Sequence, residues 1–124
     1  MAAVDFESIA NQFVEHYYLT FDSDRSRLGP LYRENSMLTF QRGQAAGVAK
    51  ITEKLVDLPF KKVAHQTEAI DAQPCPTGGI FILVTGKLQA DEDGQFRFSQ
   101  AFQLFHDGNQ WFVLNDVFQL GDKV

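Results

Sequence analysis

IFILVTGKLQADEDGQFRFSQAFQLFHDGNQWFVLNDVFQL, residues 80–120, reads as three successive strands joined by two tight turns. Side chains along a strand point alternately to its two faces, so residues i and i+2 share one. In Ile80–Ala90, Ile80, Ile82 and Val84 fall on one face and Phe81 and Leu83 on the other. A strand apolar on both sides needs a cover on both. Asp91-Glu92-Asp93-Gly94 makes the turn into Gln95–His106, where Phe96, Phe98, Phe102 and Leu104 alternate with polar residues. Asp107-Gly108-Asn109 is a strong hairpin signal, and the strand after it, 111–120, is again apolar on both faces.

Upstream, residues 62–72 predict a further strand with Val63, His65, Thr67 and Ala69 on one face, and a short strand is expected at 36–40. Before these the period becomes helical. Phe6, Ile9, Ala10, Phe13, Tyr17 and Phe21 recur at steps of three and four, which stacks them along one stripe. Asp5 can cap this helix by accepting a backbone N–H, and FDSDRSRLG with Gly29-Pro30 closes it. A second helix over Val48–Val56 buries Ile51 and Leu55 and stops at Leu58-Pro59.

Helices followed by a run of strands place the chain in the α+β class, as a curved antiparallel sheet wrapped around a long N-terminal helix. One helical layer covers one face of the sheet. The second apolar face calls for another cover, and a second copy of the chain supplies it, so a homodimer is expected. With no linker, repeat or low-complexity stretch, 1–124 is read as one domain.

The formal net charge of −5 argues against a nucleic-acid partner and against an anionic membrane surface, since both need concentrated Lys and Arg. A basic protein partner is compatible. No apolar run approaches the roughly 20 residues of a membrane span, and MAAVDFESIANQF is too polar for a secretory signal. The one cysteine, Cys75 between two prolines, cannot build a disulfide framework or a zinc site, which fits a reducing intracellular compartment.

Three groups of residues are candidates for function. The carboxylates Asp91, Glu92 and Asp93 form either a solvated hairpin tip or a docking patch for a partner's Lys or Arg. They lack the oxygen-ligand spacing of a calcium loop. The 12 phenylalanines are unusually many for 124 residues; most belong in a core, and a few can line an open pocket that anchors a partner's apolar side chain. The third group is titratable. His65 lies on the apolar face of its strand, a place where a histidine is more often a satisfied core residue than a base. Asp116 alternates with Phe112, Leu114 and Phe118, which points it into apolar surroundings, whereas a bulge near Asn115 would turn it to solvent. If the two met, they could form a proton-transfer pair. No nucleophile motif, phosphate loop or dinucleotide fingerprint is present.

Four segments together carry a family resemblance: HYYLTFDSDRSRLGPLYRENSMLTF (16–40), ITEKLVDLPFKKVAHQTEAIDAQP (51–74), ADEDGQFRFSQAFQL (90–104) and NDVFQL (115–120). In order and with little change of spacing, they resemble the nuclear transport factor 2 family. The resemblance implies a cone-like fold, a homodimer, and a carrier of the small GTPase Ran in its GDP form. It also implies binding to the Phe-Gly repeats of nucleoporins, a place in cytoplasm and nucleus concentrated at the nuclear pore, and no catalytic residue, metal or cofactor. Carried over by position, the Ran-binding rim is Asp91, Asp93 and Gln41, and the cavity is Phe40, Leu58, Val63, His65, Val117 and Phe118. The nucleoporin contact is Phe6. Gln41-Arg42 stands where the family commonly has a glutamate after the cavity aromatic, and Phe40 and Phe6 stand where tryptophan is frequent. The second expectation is an acid–base enzyme on the same fold, a dehydratase or isomerase using His65 and Asp116. Fold alone does not separate the two.

Overall fold

A computed structural model describes residues 5–124; the first four, part of the polar start and of the expected 1–124 domain, lie outside the described residues. Helix α1 spans Phe6–Ser23, and β1 (Tyr32–Phe40), β2 (Gly43–Ala46) and α2 (Val48–Val56) follow. The chain continues with β3 (Val63–Pro74), β4 (Ile80–Ala90), β5 (Gln95–His106) and β6 (Trp111–Lys123). All six strands form one sheet in the order β2-β1-β6-β5-β4-β3. Among the described residues, no helix is long and apolar enough to cross a membrane.

The Asp5 carboxylate accepts the Ser8 N–H at 3.1 Å and starts α1, as a capping carboxylate should. Ala10, Phe13, Val14, Tyr17, Tyr18 and Phe21 are buried on its inner stripe. The helix stops where Asp24 turns extended, and Asp24 in turn caps a 3-10 segment, Arg25–Leu31, through the Ser26 N–H. Phe13 and Tyr17 both meet Phe102 of β5 edge-on, with centroids 5.3 and 4.9 Å apart, which seats α1 on the inner face of the sheet. Ile80, Ile82 and Val84 point to that same face and are buried. Each such side chain contributes about 1.5–3 kcal/mol through removal from water.

Three findings differ from the sequence reading. The sheet is mixed, because β1 runs parallel to β6 while every other pair is antiparallel. The first strand begins at Tyr32, not near residue 36, and β2 pairs with it through a hairpin at Gln41-Arg42, both at positive φ. The third concerns β3. Its pairing with β4 shifts between Thr67 and Ala69, so Thr67 and Ala69 are exposed while Ile70 and Ala72 take the inner face. The bulged strand presses so close to β4 at Gly86 that a Cβ there would collide with the Gln66 carbonyl oxygen. Bulges of this kind bend a sheet and raise its twist, and further register shifts in β1 and between β5 and β6 extend the bend.

The outer face carries a second apolar surface. Leu83, Ala101 and Val117 stand in register across β4, β5 and β6, with Phe81 and Met37 in the adjoining row. Phe81, Leu83, Met37 and Val117 are each about two-fifths exposed, between 39% and 44%. The sequence reading of a face in need of a second cover corresponds to this patch.

Candidate functional site

At the open end of the cone the sheet and α2 part around a cavity of about 810 Å³. Phe40, Leu58, Pro59, Phe60, Phe96 and Leu120 supply its apolar lining, and Lys50, Glu53, Lys54, Asp57 and Asp93 stand among its charged residues. A concave apolar surface with a few charged groups is the usual form of a site that anchors one side chain of a partner.

The carried-over positions fall into five places. Phe40, Leu58, Gln41 and Asp93 line the cavity. Phe118 and His65 lie behind the wall. The Phe40 ring stacks on Phe118 at 4.5 Å, Phe118 stacks on Phe98 at 5.8 Å, and Phe98 meets His65 edge-on at 5.2 Å. This ladder of rings makes Phe40 a firm wall, because the ring below it cannot give way. Val63 is buried and outside the lining residues. Val117 is on the outer face, 42% exposed, one residue from Asp116 and from Phe118 and therefore opposite to both. It belongs to the outer apolar patch rather than to the cavity. Phe6, half-buried at the start of α1, packs against the core away from the cavity lining.

The rim residues differ in what their side chains already hold. Asp91 accepts the Lys62 N–H at 2.7 Å and the Lys61 N–H at 3.1 Å, and these bonds hold its carboxyl below the ordinary aspartate value. Gln41 accepts the Leu120 N–H at 2.7 Å, tying the hairpin to β6. Asp93 is exposed, and no ion pair among the described residues engages it.

Neither residue of the expected acid–base pair reaches the cavity. His65 donates its own N–H to Asp22 at 2.8 Å and pairs its ring Nδ1 with the same carboxylate at 2.6 Å, while its ring stacks on Tyr18 at 4.2 Å. Asp116 is 1% exposed and sits in a separate polar hub. Its Oδ2 accepts from Tyr32 at 2.7 Å and Tyr17 at 3.1 Å, its Oδ1 accepts from Gln100 at 2.7 Å, and Gln100 accepts from Tyr18 at 2.7 Å. The bulge near Asn115 exists, with Leu104 opposite Val113 and Gln103 opposite Asn115. It turns Asp116 inward together with Val113 instead of releasing it to solvent.

Burial pushes the Asp116 carboxyl up to about 6, against the lowering effect of the Gln100, Tyr32 and Tyr17 bonds. Tyr17, Tyr32 and Asp116 Oδ2 form a triangle of three short contacts, the hydroxyls 2.8 Å apart, among which two hydroxyl hydrogens are shared. Burial, followed by the charge of Asp116, raises both tyrosines well above their ordinary value.

Sequence reasoning missed the partners Gln100, Tyr17, Tyr32 and Asp22, and the cavity residues Phe60, Phe96 and Leu120 as such. One signal was available, since Gln100 is the polar member of an inward alternation, Phe98, Gln100, Phe102, Leu104.

The sequence model of the nuclear transport factor 2 (NTF2) domain matches residues 9–120. Nuclear transport factor 2 of Neurospora crassa is 58% identical over 120 residues, covering 95% of this chain and 97% of the relative. That of Saccharomyces cerevisiae is 49% identical over 120 residues, 95% and 96% of the two chains. Among solved structures, nuclear transport factor 2 from Cryptosporidium parvum superposes with a TM-score of 0.90 at 40% identity, covering 94% of each chain. A putative scytalone dehydratase of Novosphingobium aromaticivorans shares the fold at a TM-score of 0.80 but only 12% identity, over 95% of this chain and 86% of its own. By the domain match and by the identity along almost its whole length, this chain belongs to the nuclear transport factor 2 family.

Proposed function

We propose that this chain carries Ran-GDP into the nucleus as a homodimer, taking an apolar side chain of Ran into the cavity and pairing Asp93 with a basic Ran residue at the rim. The observation that carries the reading is the open apolar cavity of about 810 Å³ with an unengaged carboxylate at its mouth, in a chain of this family. An anchored aromatic supplies burial, while charges at the edge steer the encounter and set its register. The Phe-Gly repeats of nucleoporins bind elsewhere, with Phe6 as a contact, so cargo and pore are engaged together in cytoplasm, nucleus and pore. The outer patch of Phe81, Leu83, Val117 and Met37 joins the two protomers. No cofactor takes part.

The chain is a carrier and not an enzyme. His65 is committed to Asp22 and Asp116 to two tyrosines and a glutamine, and neither faces the space where a substrate would sit. Proton transfer requires a base within reach of the reacting atom.

Replacing the rim charge tests this directly. Asp93→Lys is expected to weaken Ran-GDP binding by about 2 kcal/mol and leave the unfolding midpoint unchanged, since the side chain is exposed and holds nothing internal. Unaltered affinity in a calorimetric titration removes Asp93 from the rim.

A further inference from the structure

Leu58, Pro59 and Phe60 line the cavity from loop 57–62, a segment with neither helix nor strand geometry. An anchor site works best when its wall is already in place, because ordering a loop during binding subtracts from affinity. Two charged side chains from distant parts of the chain hold this loop. Asp91, in the β4–β5 turn, takes the N–H groups of Lys61 and Lys62 on its carboxylate, and its own N–H donates to the Lys62 carbonyl at 2.8 Å. Arg25, at the start of the 3-10 segment after α1, donates to the Phe60 carbonyl at 2.7 Å. Its guanidinium lies 5.3 Å from the Phe60 ring centroid and 5.7 Å from that of Phe21, so the ring as well as the backbone is fixed. Bonds in which one partner is ionised are roughly twice as strong as neutral ones. Asp91 sits at φ 47, a left-handed conformation that costs a non-glycine residue energy and that these bonds offset.

We infer that Arg25 and Asp91 are positioning residues of the docking cavity: they clamp loop 57–62 into a rigid wall, and Asp91 acts on docking through that loop while Asp93 meets the partner. The inference rests on the cavity being the Ran-GDP site. Charge and position make opposite predictions for Arg25. Removing a cation from an acidic rim strengthens attraction for a basic partner if charge alone matters. If Arg25 holds the wall, the same change weakens binding.

The test uses the full-length dimer with Arg25→Ala, Arg25→Lys, Asp91→Ala and Asp93→Asn. Amide hydrogen exchange in the free protein is expected to quicken about tenfold at Lys61 and Lys62 in Asp91→Ala, and to stay at the wild-type rate in Asp93→Asn. In titrations with Ran-GDP over a series of salt concentrations, Arg25→Ala should bind about tenfold more weakly, and Arg25→Lys should recover part of the loss. Asp91→Ala should bind more weakly with the wild-type salt dependence, and Asp93→Asn should bind more weakly with a flatter one. Equal or tighter binding by Arg25→Ala, or unchanged exchange in Asp91→Ala, overturns the inference. Faster exchange together with no Ran-GDP binding by the wild type overturns the docking role while leaving the clamp itself established.

Discussion

Two regions of this molecule, the buried polar hub and the open end, are built on opposite terms. In the buried hub, the side-chain polar atoms of Asp116, Gln100 and the three tyrosines all have partners. At the open end, Phe40, Phe60 and Leu120 face a cavity of about 810 Å³ that none of the described residues fills. His65 and Asp116, the expected acid–base pair, are committed to the core, and neither lines the cavity. An enzyme on this fold needs the pair and the cavity in one place, and a carrier needs only the cavity. The difference teaches that a raised carboxyl value is here a mark of burial within a structural network rather than of catalysis.

Breaking the buried hub should cost stability and spare docking. Asp116→Ala strands the donors of Gln100, Tyr17 and Tyr32 in the core, and about 3 kcal/mol or more of unfolding free energy should be lost in urea titrations. Asp116→Asn keeps an oxygen that accepts from Gln100 but sets an amide donor against the Tyr17 and Tyr32 hydroxyls, so it should recover part of that loss. Ran-GDP affinity per folded dimer should stay within twofold of wild type in both. A loss of affinity with stability intact would make the hub part of the site.

Acidity sharpens the same contrast. Asp116 holds its proton up to about 6 in the folded chain, against 3.8 ordinarily. Between these values the folded state is protonated and the unfolded state is not, so this group's contribution to stability falls as pH rises from about 4 to 6 and stays low above. Asp91, Asp107 and Asp24 are shifted downward and act in the opposite sense, losing stability as pH falls below the ordinary aspartate range. Subtracting the Asp116→Asn curve from the wild-type curve isolates the hub. The wild type should lose about 2 kcal/mol relative to the variant between pH 4 and 7. Parallel curves would mean that Asp116 is ionised throughout.

The open end should show the mirror image. Phe40→Ala removes the outermost ring of the stack on Phe118, and Ran-GDP affinity is expected to fall by about 1.5 kcal/mol, more than unfolding stability falls. Phe6→Ala, remote from both ends of the comparison, should produce the smallest change. Nucleoporin-repeat binding should weaken by about 0.5–1 kcal/mol, with Ran-GDP affinity unchanged. Equal loss of both would point to damage of the fold instead.

Much of this architecture was legible in the chain. The strands Ile80–Ala90 and Gln95–His106 and the helix Val48–Val56 have the ends that alternation, periodicity and turn residues assign them. The short β2 was not legible, because Gly43–Ala46 has no apolar alternation and its hairpin uses Gln41-Arg42 in place of the usual asparagine or glycine. The parallel pairing of β1 with β6 joins segments about eighty residues apart, and local patterns carry no trace of such a contact. For the site, Val117 shows the limit of carrying positions over one by one. A period of two places it opposite Phe118, and the structure follows the period. The commitments of Asp91, Gln41 and His65 to partners far along the chain were invisible, since hydrogen-bond partners follow from tertiary approach and not from spacing.

The account stands most directly on whether the open end docks its cargo. Isothermal titration of the folded dimer with Ran loaded with GDP, and separately with a GTP analogue, at near-physiological salt, decides it. The account predicts binding in the micromolar range or tighter to the GDP form, with little or none to the other. Equal binding to both forms, or no binding to either, would contradict it.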